Sequence, residues 1–465
     1  MAESRDSKSH SGPAGAALDL TVDVAVVGGG ISGLIAARTL AQAGKSVLVL
    51  EANDHTGGRV QNGLVGGAVC ELGGEWVGSF QPKIRALLKE LDLKTFDTYT
   101  TGQSTCVYEG KVTRFEAPLL PLPAADLIEI AATVAQFDLM AAAVPLAAPW
   151  TAPDAASWDN QTMASWLDDN ILTAGARATL DLIIGGPLCV SPRELSLLHF
   201  LFLVASTGGA ERFGSIKGGV LETRIEGGTG LIVEKLTNDL GDRVLLNAPV
   251  RVIDQSGAKV RLTTDRGDIT ADHVIVAIPP TLAGRIHYEP PLPTARDQLT
   301  QRAPMGWSIK CFATYPTPFW RDAGLNGFVT NLTPGAMIDG VFDNSPPSGA
   351  PGMLYGLMEG DGARAWGSRP AEERKAAVLE AYASFFGSQA LTPTDYLEHD
   401  WAAAPWSRGG ASIAFGPGAW TEYGPSLRQP VDRIHWAGTE TAVEQWGSMD
   451  GAISSAERAV NEVLA

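Results

Sequence analysis

Cysteine is scarce in this sequence. The chain of 465 residues contains only Cys70, Cys106, Cys189 and Cys311, and no two of them form a CxxC pair. Structural zinc sites and the disulfide frameworks of secreted domains need closely or regularly spaced cysteines. The sequence therefore predicts neither, and it favours a protein of the reducing cytoplasm. The seven histidines also lack the spacing of metal ligands, so no metal site is predicted.

Long apolar runs are missing as well. The longest, 141–150 and 195–205, are shorter than the roughly 20 residues that a helix needs to cross a bilayer. Residues 1–20 lack the continuous apolar core of a signal peptide, and we interpret them as a flexible N-terminal segment. We therefore expect neither export nor a membrane partner.

Positive charge is low. The sequence has 35 Lys and Arg against 52 Asp and Glu, which gives a formal net charge of −17. Nucleic acids and anionic membranes attract basic surfaces, so no nucleic-acid partner is expected. Hydrophobic residues make up 45% of the chain. This composition predicts a soluble, folded protein with a large core.

The clearest motif occupies residues 22–51, VDVAVVGGGISGLIAARTLAQAGKSVLVLE. The run VDVAVV predicts a buried parallel strand, a helix is predicted over 31–43, and SVLVL predicts a second strand. Gly28 permits a tight turn, Gly30 lets a pyrophosphate approach the backbone, and Gly33 lets the helix pack closely on the strand.

The two ends of this unit carry its binding chemistry. Backbone N–H groups at the helix start, around Ser32, are free to face phosphate oxygens. Glu51 follows the second strand, where a carboxylate can bind the hydroxyls of an unphosphorylated ribose. The unit therefore predicts a dinucleotide site.

Further motifs extend this pattern. GGRV at 57–60 contains Arg59, LGGEWVG spans 72–78, and GTET at 438–441 precedes MDGA at 449–452. Together with GGGISG and Glu51, these motifs resemble those of the flavin-dependent amine oxidases, of the monoamine oxidase and cyclohexylamine oxidase kind. The resemblance implies FAD as the cofactor rather than NAD.

The resemblance also implies the architecture. We expect a mixed α/β (α+β) fold in which a Rossmann-type FAD-binding domain is interleaved with a substrate-binding domain of mixed sheet and helices. The predicted FAD-binding segments are 21–91, 225–300 and 396–465. The predicted substrate-binding segments are 92–224 and 301–395. Within them, alternation over 104–116 predicts a hairpin, and 371–386 has the pattern of an amphipathic helix.

The cofactor contacts of the family can be transferred to matching positions. The family segment that matches 249–252 lends a backbone edge to the adenine, so Val250 is a candidate, with an ordinary sheet valine as the alternative. The predicted cofactor-binding residues are Gly28, Gly30, Ser32, Gly33, Glu51, Arg59, Gly74, Glu75, Trp76, Val250, Trp406, Gly438, Glu440 and Met449.

Lys310 lies within an alternating, largely apolar strand pattern at 305–320. A buried lysine is costly unless it is paired or neutral, and a lysine that reaches water from an edge strand is the alternative. By resemblance, Lys310 matches the family lysine that holds a water next to flavin N5. Trp401 matches a tryptophan near the flavin and that water. These two are the predicted catalytic residues.

Two departures from the family pattern bear on the site. Covalent members have a flavin-linked cysteine where this chain has Gly410, so FAD is predicted to be non-covalent. The paired aromatic rings of monoamine oxidases fall on Ala411 and Ser448, and Trp446 could form one wall. The wider site suits a bulky, cyclic or branched amine. The predicted substrate pocket consists of Leu188, Phe213, Leu221, Phe342, Tyr355, Leu357, Ala411, Trp446 and Ser448.

The implied reaction is oxidation of a primary or secondary amine to an imine, which hydrolyses to a ketone or aldehyde while O2 is reduced to H2O2. The implied partners are a small-molecule amine and O2, with a homodimer as an alternative to a monomer. A flavin desaturase or protoporphyrinogen-oxidase-like enzyme is the rival enzyme, because it shares GxGxxG and GGR. A polyamine oxidase is less favoured, because no compact acidic cluster is evident in the sequence. A non-enzymatic flavin-binding module is the remaining alternative.

Overall fold

The structure is a computed structural model that describes residues 18–465. Its strands, in chain order, are β1 (Leu18–Val27), β2 (Val47–Leu50), β3 (Asn62–Val65), β4 (Ala68–Glu71), β5 (Thr95–Asp97), β6 (Gln103–Tyr108), β7 (Lys111–Phe115), β8 (Thr223–Ile225), β9 (Val244–Leu245), β10 (Val250–Asp254), β11 (Val260–Thr264), β12 (Gly267–Val276), β13 (His287–Glu289), β14 (Ser308–Tyr315), β15 (Leu325–Asn331), β16 (Gly340–Asp343), β17 (Gly352–Glu359), β18 (Asp395–Asp400) and β19 (Ile434–Trp436).

The helices alternate with these strands and also form a separate group between β7 and β8. They are α1 (Ile31–Gln42), α2 (Pro82–Glu90), α3 (Ala124–Ala141), α4 (Ala155–Asp159), α5 (Met163–Asn170), α6 (Ala174–Gly185), α7 (Leu197–Thr207), α8 (Gly230–Leu240), α9 (Pro280–Ala283), α10 (Thr294–Gln301), α11 (Phe319–Asp322), α12 (Gly360–Gly367), α13 (Ala371–Phe386), α14 (Ala419–Tyr423) and α15 (Met449–Leu464). In the described part of the chain, no helix is long and apolar enough to cross a bilayer.

The first sheet has the strand order β13-β10-β11-β12-β1-β2-β9, with β19 beside the end of β12. β1 pairs in parallel with β12 and β2. Alternate residues of β1 point to opposite faces: Val24 and Val26 pack under α1, α8 and α15, whereas Ala25 and Val27 pack against β10 and β11. The continuous apolar runs of β1 and β2 follow from burial on both faces. The predicted βαβ unit is thus confirmed.

The second sheet has the order β18-β14-β17-β16-β15-β6-β7. β14 is an interior strand next to the edge strand β18, with β17 and β18 antiparallel on its two sides, and all eight of its residues are buried. The predicted hairpin over 104–116 is present as β6 and β7, and the predicted helix over 371–386 is α13. Helices α3 to α7 and α14 pack around an apolar core of their own.

Two expected boundaries differ from the structure. Leu18–Leu20 belong to β1 and pair with Gly267–Ile269, so the predicted flexible segment is wrong for these residues. The remainder of that prediction, residues 1–17, lies outside the described residues. β18 pairs with β14 in the second sheet, so the predicted start of the last FAD-binding segment at 396 falls within a strand of the substrate-side sheet.

The parallel strands fix the position of the site. β1, β2, β12 and β19 run in the same direction, so their carboxyl ends meet at one edge of the first sheet. Gly28 and Glu51 directly follow β1 and β2 at this edge. Open sheets of this kind bind ligands outside the carboxyl ends of their strands.

Replacement of Gly33 by alanine should destabilise the protein. A Cβ atom at this position would lie 2.0 Å from the carbonyl oxygen of Gly28, so α1 would have to move away from β1. We expect Gly33→Ala to lower the free energy of unfolding by about 1–3 kcal/mol or more, measured by denaturant titration. Gly257→Ala is the control, because its added Cβ would meet only the Lys259 carbonyl oxygen, at 3.7 Å. Equal losses in the two variants would contradict this account.

Candidate active site

A continuous cavity of about 1500 Å³ connects the carboxyl edge of the first sheet to the face of the second sheet. Gly28, Gly30 and Ser32 line one end, and Lys310 and Tyr355 line the other. Ligand pockets for one small molecule are commonly about 300–1000 Å³. This cavity can therefore accommodate a long cofactor together with a substrate.

The N-terminus of α1 opens into the cavity. Its N-cap residue, Gly30, provides no side-chain cap, and the first turn contains no acidic residue. A Cβ atom at Gly30 would meet only the Gly57 carbonyl oxygen at 3.8 Å, so the backbone can be approached closely. Free N–H groups at a helix N-terminus favour anions. This end of the cavity therefore fits a pyrophosphate group.

Glu51 lies beside this helix end and also lines the cavity. Its Oε2 accepts a 2.6 Å hydrogen bond from the Gly29 N–H, and its Oε1 accepts one of 2.8 Å from the Asn53 N–H. The carboxylate is thus held in place and retains lone pairs for ribose hydroxyls. Ser32 also joins the start of α1 to the turn after β19, because its Oγ accepts a 2.9 Å hydrogen bond from the Gly438 N–H.

Arg59 and Glu440 form an ion pair next to the cavity. The Nη1 and Nη2 atoms of Arg59 donate to the two carboxylate oxygens of Glu440, at 2.5 and 3.0 Å, and Nη1 also donates to the Ala411 carbonyl oxygen. Burial by itself would raise the pKa of Glu440, but Arg59 and the Ser412 hydroxyl lower it below its ordinary value. Glu440 is therefore anionic and orients the guanidinium of Arg59.

The cavity wall contains most of the predicted cofactor residues and all of the predicted pocket residues. Those lining it are Gly28, Gly30, Ser32, Glu51, Arg59, Gly74, Glu75, Trp76, Val250, Trp406, Gly438, Met449, Leu188, Phe213, Leu221, Phe342, Tyr355, Leu357, Ala411, Trp446 and Ser448. Both predicted catalytic residues, Lys310 and Trp401, line it as well.

Gly33 and Glu440 are the two predicted cofactor residues that are not part of the cavity lining. Gly33 packs α1 on the turn at Gly28, and Glu440 acts from behind Arg59. Each was predicted because it belongs to a binding motif, but in the structure each holds a residue that reaches the cavity.

Lys310 is buried on β14, an interior strand of the second sheet. Its Nζ donates hydrogen bonds to the carbonyl oxygens of Gly73, at 2.6 Å, and Glu71, at 3.2 Å, and it lies 4.5 Å from the centroid of the Tyr355 ring. The alternative of a lysine that reaches water is wrong, because β14 is not an edge strand. Burial lowers the pKa of Lys310, and nearby carboxylates oppose this shift.

Aromatic side chains form one wall beside Lys310. The ring of Trp76 lies 4.9 Å from that of Phe342 and 5.9 Å from that of Tyr355, and Tyr355 stacks on Phe312, which does not line the cavity. Trp401 lies on the same side as Lys310, where its Nε1 donates a 2.7 Å hydrogen bond to the carbonyl oxygen of Leu72, next to Gly73. Such rings provide a large apolar surface at little cost in conformational entropy.

Small residues occupy the two positions that match the paired aromatic rings of monoamine oxidases. Ala411 and Ser448 both face the cavity, and so does Trp446. Trp446 is fixed by a 2.7 Å hydrogen bond from its Nε1 to the Glu440 carbonyl oxygen and by an edge contact with His199. Burial lowers the pKa of His199 to about 3, so this histidine is neutral and serves as packing rather than as a base.

Two carboxyl groups on the cavity wall were not predicted from the sequence. Asp339 and Glu359 both line the cavity, and Asp339 Oδ2 accepts a 3.0 Å hydrogen bond from the Glu359 N–H. Burial raises the pKa of Glu359 to about 7 and that of Asp339 well above its ordinary value. No lysine or arginine of residues 18–465 forms an ion pair with either one within 4.0 Å.

A signal for Glu359 was present in the sequence. Tyr355, Leu357 and Glu359 alternate along β17 and share one face, so the two predicted pocket residues imply the third. Asp339 gave no such signal, because it precedes the strand β16 and reaches Glu359 only through the pairing of β16 with β17.

Comparisons with known proteins agree with this geometry. Residues 31–464 match the family model for flavin containing amine oxidoreductases. The chain is 40% identical over 445 residues to a Mycobacterium tuberculosis protein named as a flavin-containing monoamine oxidase, AofH, covering 96% of this chain and 97% of that protein. It is 38% identical over 448 residues to human amine oxidase [flavin-containing] B, covering 95% and 86%.

Solved structures give the same result. A putrescine oxidase bound to putrescine has a TM-score of 0.92 at 34% identity, covering 96% of this chain and 100% of that one. Cyclohexylamine oxidase from Brevibacterium oxydans has a TM-score of 0.90 at 31% identity, with coverage of 95% and 98%. The chain belongs to the flavin-containing amine oxidoreductase family. The predicted fold class, family and general activity, a flavin-dependent oxidoreductase acting on amines, are thereby confirmed.

Loss of Glu440 should weaken flavin binding. Without this carboxylate the guanidinium of Arg59 is no longer held by two hydrogen bonds, and breaking a buried ion pair can cost about 3–5 kcal/mol. We expect Glu440→Ala to purify with less flavin per chain, measured from the ratio of flavin to protein absorbance. Glu457→Ala is the control, because Glu457 pairs with Lys83 in a half-exposed ion pair. A flavin content equal to that of the control would contradict a role for Glu440 in holding Arg59.

Proposed function

We propose that this protein oxidises a bulky or cyclic primary or secondary amine to an imine, using non-covalent FAD and reducing O2 to H2O2. One observation supports this most strongly: the uncapped N-terminus of α1 and the buried Lys310 face the same cavity. The first feature suits the phosphates of a dinucleotide. The second lies at the apolar end, where an amine and the reactive ring of the cofactor would meet.

Particular residues would hold the cofactor. The backbone N–H groups around Gly30 and Ser32 would bind the pyrophosphate, Glu51 the ribose hydroxyls, and Val250 the adenine. Arg59, fixed by Glu440, would contribute a cation near the other end. When bound, the flavin supplies the oxidant that takes a hydride from the carbon that bears the nitrogen.

Non-covalent attachment of FAD is supported by the lack of a reactive cysteine thiol at the cavity among the described residues. Position 410, which matches the linked cysteine of covalent relatives, is a glycine. Of the four cysteines, all within residues 18–465, Cys189 alone lines the cavity. Burial raises the pKa of its thiol well above the ordinary value, and a neutral thiol is a poor nucleophile.

The preference for bulky amines follows from the shape of the site. Ala411 and Ser448 leave space where relatives have two rings, while Trp76, Phe342 and Tyr355 provide the same cavity with an apolar wall. The chain's residues would bind the neutral amine by apolar contact and exclude water. Lys310 and Trp401 would orient groups at the reacting end.

A diamine is a second candidate substrate. Asp339 and Glu359 give the cavity two carboxyl groups with no cationic partner of their own among the described residues, and a second ammonium group would supply one. The likeness to a putrescine oxidase is consistent with this alternative. The sequence alone disfavours a polyamine substrate, because no compact acidic cluster is evident in it; Asp339 and Glu359 are far apart in the sequence and meet only in the fold.

We also infer a cytoplasmic location and a homodimer. The four unbridged cysteines are compatible with a reducing compartment. Ile128, Leu139 and Leu172 are exposed apolar side chains that contact between two copies would bury, and sedimentation velocity would detect such a dimer.

The proposed reaction can be tested by mixing the yellow holoprotein with amines in the absence of O2. We expect cyclic or branched amines to bleach the flavin absorbance faster than slim arylalkylamines, because the site lacks the two rings that would narrow it. Subsequent addition of O2 should restore the absorbance and release H2O2. Failure of every amine in a panel of cyclic, aryl and diamine compounds to bleach the flavin would contradict the proposal and favour a binding module.

Glu359→Gln should separate the two substrate classes. The measurement is the ratio of kcat/KM for a diamine to that for a monoamine of equal length. If a second ammonium pairs with Glu359, loss of the Glu359 carboxylate should lower this ratio about 10- to 100-fold.

The same ratio should depend on pH in the wild-type protein. Since the pKa of Glu359 is raised to about 7, the wild-type ratio should increase as pH rises through that value. Glu194→Gln, which removes a carboxylate paired with Arg364 outside the cavity, should leave the ratio unchanged. An unchanged ratio in Glu359→Gln would exclude a diamine site there.

A further inference from the structure

Glu75 contains an unpaired buried oxygen beside Lys310. Its Oε1 accepts a 2.6 Å hydrogen bond from Asn344 Nδ2 and lies 2.9 Å from Arg224 Nε. Its Oε2 is buried and has no hydrogen-bond partner among residues 18–465. A buried carboxylate oxygen without a partner is costly, so its presence at the cavity wall needs an explanation.

The group that Glu75 Oε2 faces is Lys310. The distance from this oxygen to Lys310 Nζ is 3.8 Å, close enough for strong attraction but too long for a hydrogen bond. An ammonium has three N–H donors. Two are used on the carbonyl oxygens of Gly73 and Glu71, which leaves one for the side of Glu75.

The charges around this contact balance only if Glu75 is included. Arg224 Nη2 donates a 2.9 Å hydrogen bond to Glu71 Oε2, so Glu71 already neutralises Arg224. Without the Glu75 carboxylate, Lys310 would be a second buried cation with no carboxylate of its own. Burial lowers the pKa of Lys310, and Glu75 is the largest influence in the opposite direction.

We propose that Glu75 is a positioning residue for the oxidation site, and that it acts through Lys310 by keeping this amine protonated. The residue is also a predicted cofactor contact on the cavity wall, and the geometry adds a role as the counter-ion of Lys310. This inference rests on the proposed function only in assigning Lys310 to the reacting end of the cavity.

The pair should respond to pH near neutrality. Burial raises the pKa of Glu75 to about 7, so its carboxylate is anionic above that pH and neutral below it. When Glu75 takes up a proton, Lys310 loses its counter-ion and releases its own proton more readily. The other titratable or charged groups around the two residues are Cys70, Glu71, Cys189, Arg224, Tyr355, Glu359 and His399.

Glu75→Gln tests the inference because it removes the charge and keeps the shape. Two curves are measured against pH in the holoenzyme: the absorbance of the oxidised flavin without amine, and the rate at which reduced flavin is reoxidised by O2. An opposite charge at this distance shifts a pKa by about 1–3 units, so the inflection assigned to Lys310 should move to lower pH by that amount. Glu398→Gln, a carboxylate paired with Arg374, is the control and should not move it.

A second variant shows whether the effect passes through Lys310. In a Lys310→Met background, Glu75→Gln should cause no further change in either curve, since the group on which Glu75 acts is absent. An equal shift with and without Lys310, or no shift in Glu75→Gln, would overturn the proposal.

Folding of the variants gives a readout that needs neither cofactor nor amine. Glu75→Gln leaves two buried cations against one carboxylate, whereas the double variant with Lys310→Met restores the balance. We expect the single variant to unfold at lower denaturant concentration than the double variant. If both lose stability equally, Glu75 acts through Arg224 and the proposal fails.

The absorbance titration of the oxidised flavin requires no amine turnover, so its result stands even if no amine is oxidised.

Discussion

The close approach of α1 to β1 determines where the active site can be. At Gly33 the helix lies against the turn at Gly28 so closely that no side chain fits between them. This contact directs the open helix end at the carboxyl edge of the sheet, where β2, β12 and β19 also end. The cavity begins at that edge, and the second sheet closes it from the other side.

The second sheet depends on a different constraint, the burial of charge. Lys310, Glu71, Glu75 and Arg224 are all buried where the loop after β4 meets β14 and β8. Each charge is tolerated because an opposite charge or a carbonyl oxygen is near. A buried set of this kind is sensitive to the loss of any one member, and this distinguishes it from the apolar wall beside it.

Much of the first sheet was predictable because its signals are local. The glycine turn, the helix over 31–42 and the strand before Glu51 all lie within thirty residues, and the hydrophobic pattern matches burial on both faces of a parallel sheet. The helix over 371–386 was equally clear from its periodicity. Lys310 needed more, since its strand pattern left an edge position open until the pairing with β17 and β18 was known.

What the sequence could not reveal depends on pairing between distant segments. β18 looks like the start of a new segment, yet it pairs with β14 across more than eighty residues of chain. Glu75 lies in a family motif, but its approach to Lys310 arises from the packing of a loop on a distant strand. Asp339 and Glu359 meet only through strand register. Local periodicity carries no information about register between strands.

The hydroxyl groups at the junction of α1, β19 and α15 have a consequence for how the protein is made. Ser32 Oγ and Ser455 Oγ lie 3.1 Å apart, and both accept from the Gly438 N–H. Ser32 in α1 is thus joined to Ser455 in α15, 423 residues later in the chain, beside the wall of the cavity. During translation, the phosphate-binding turn emerges from the ribosome long before its partner does. The cofactor site is completed only when α15 has also emerged, so stable loading of flavin has to follow the synthesis of both helices.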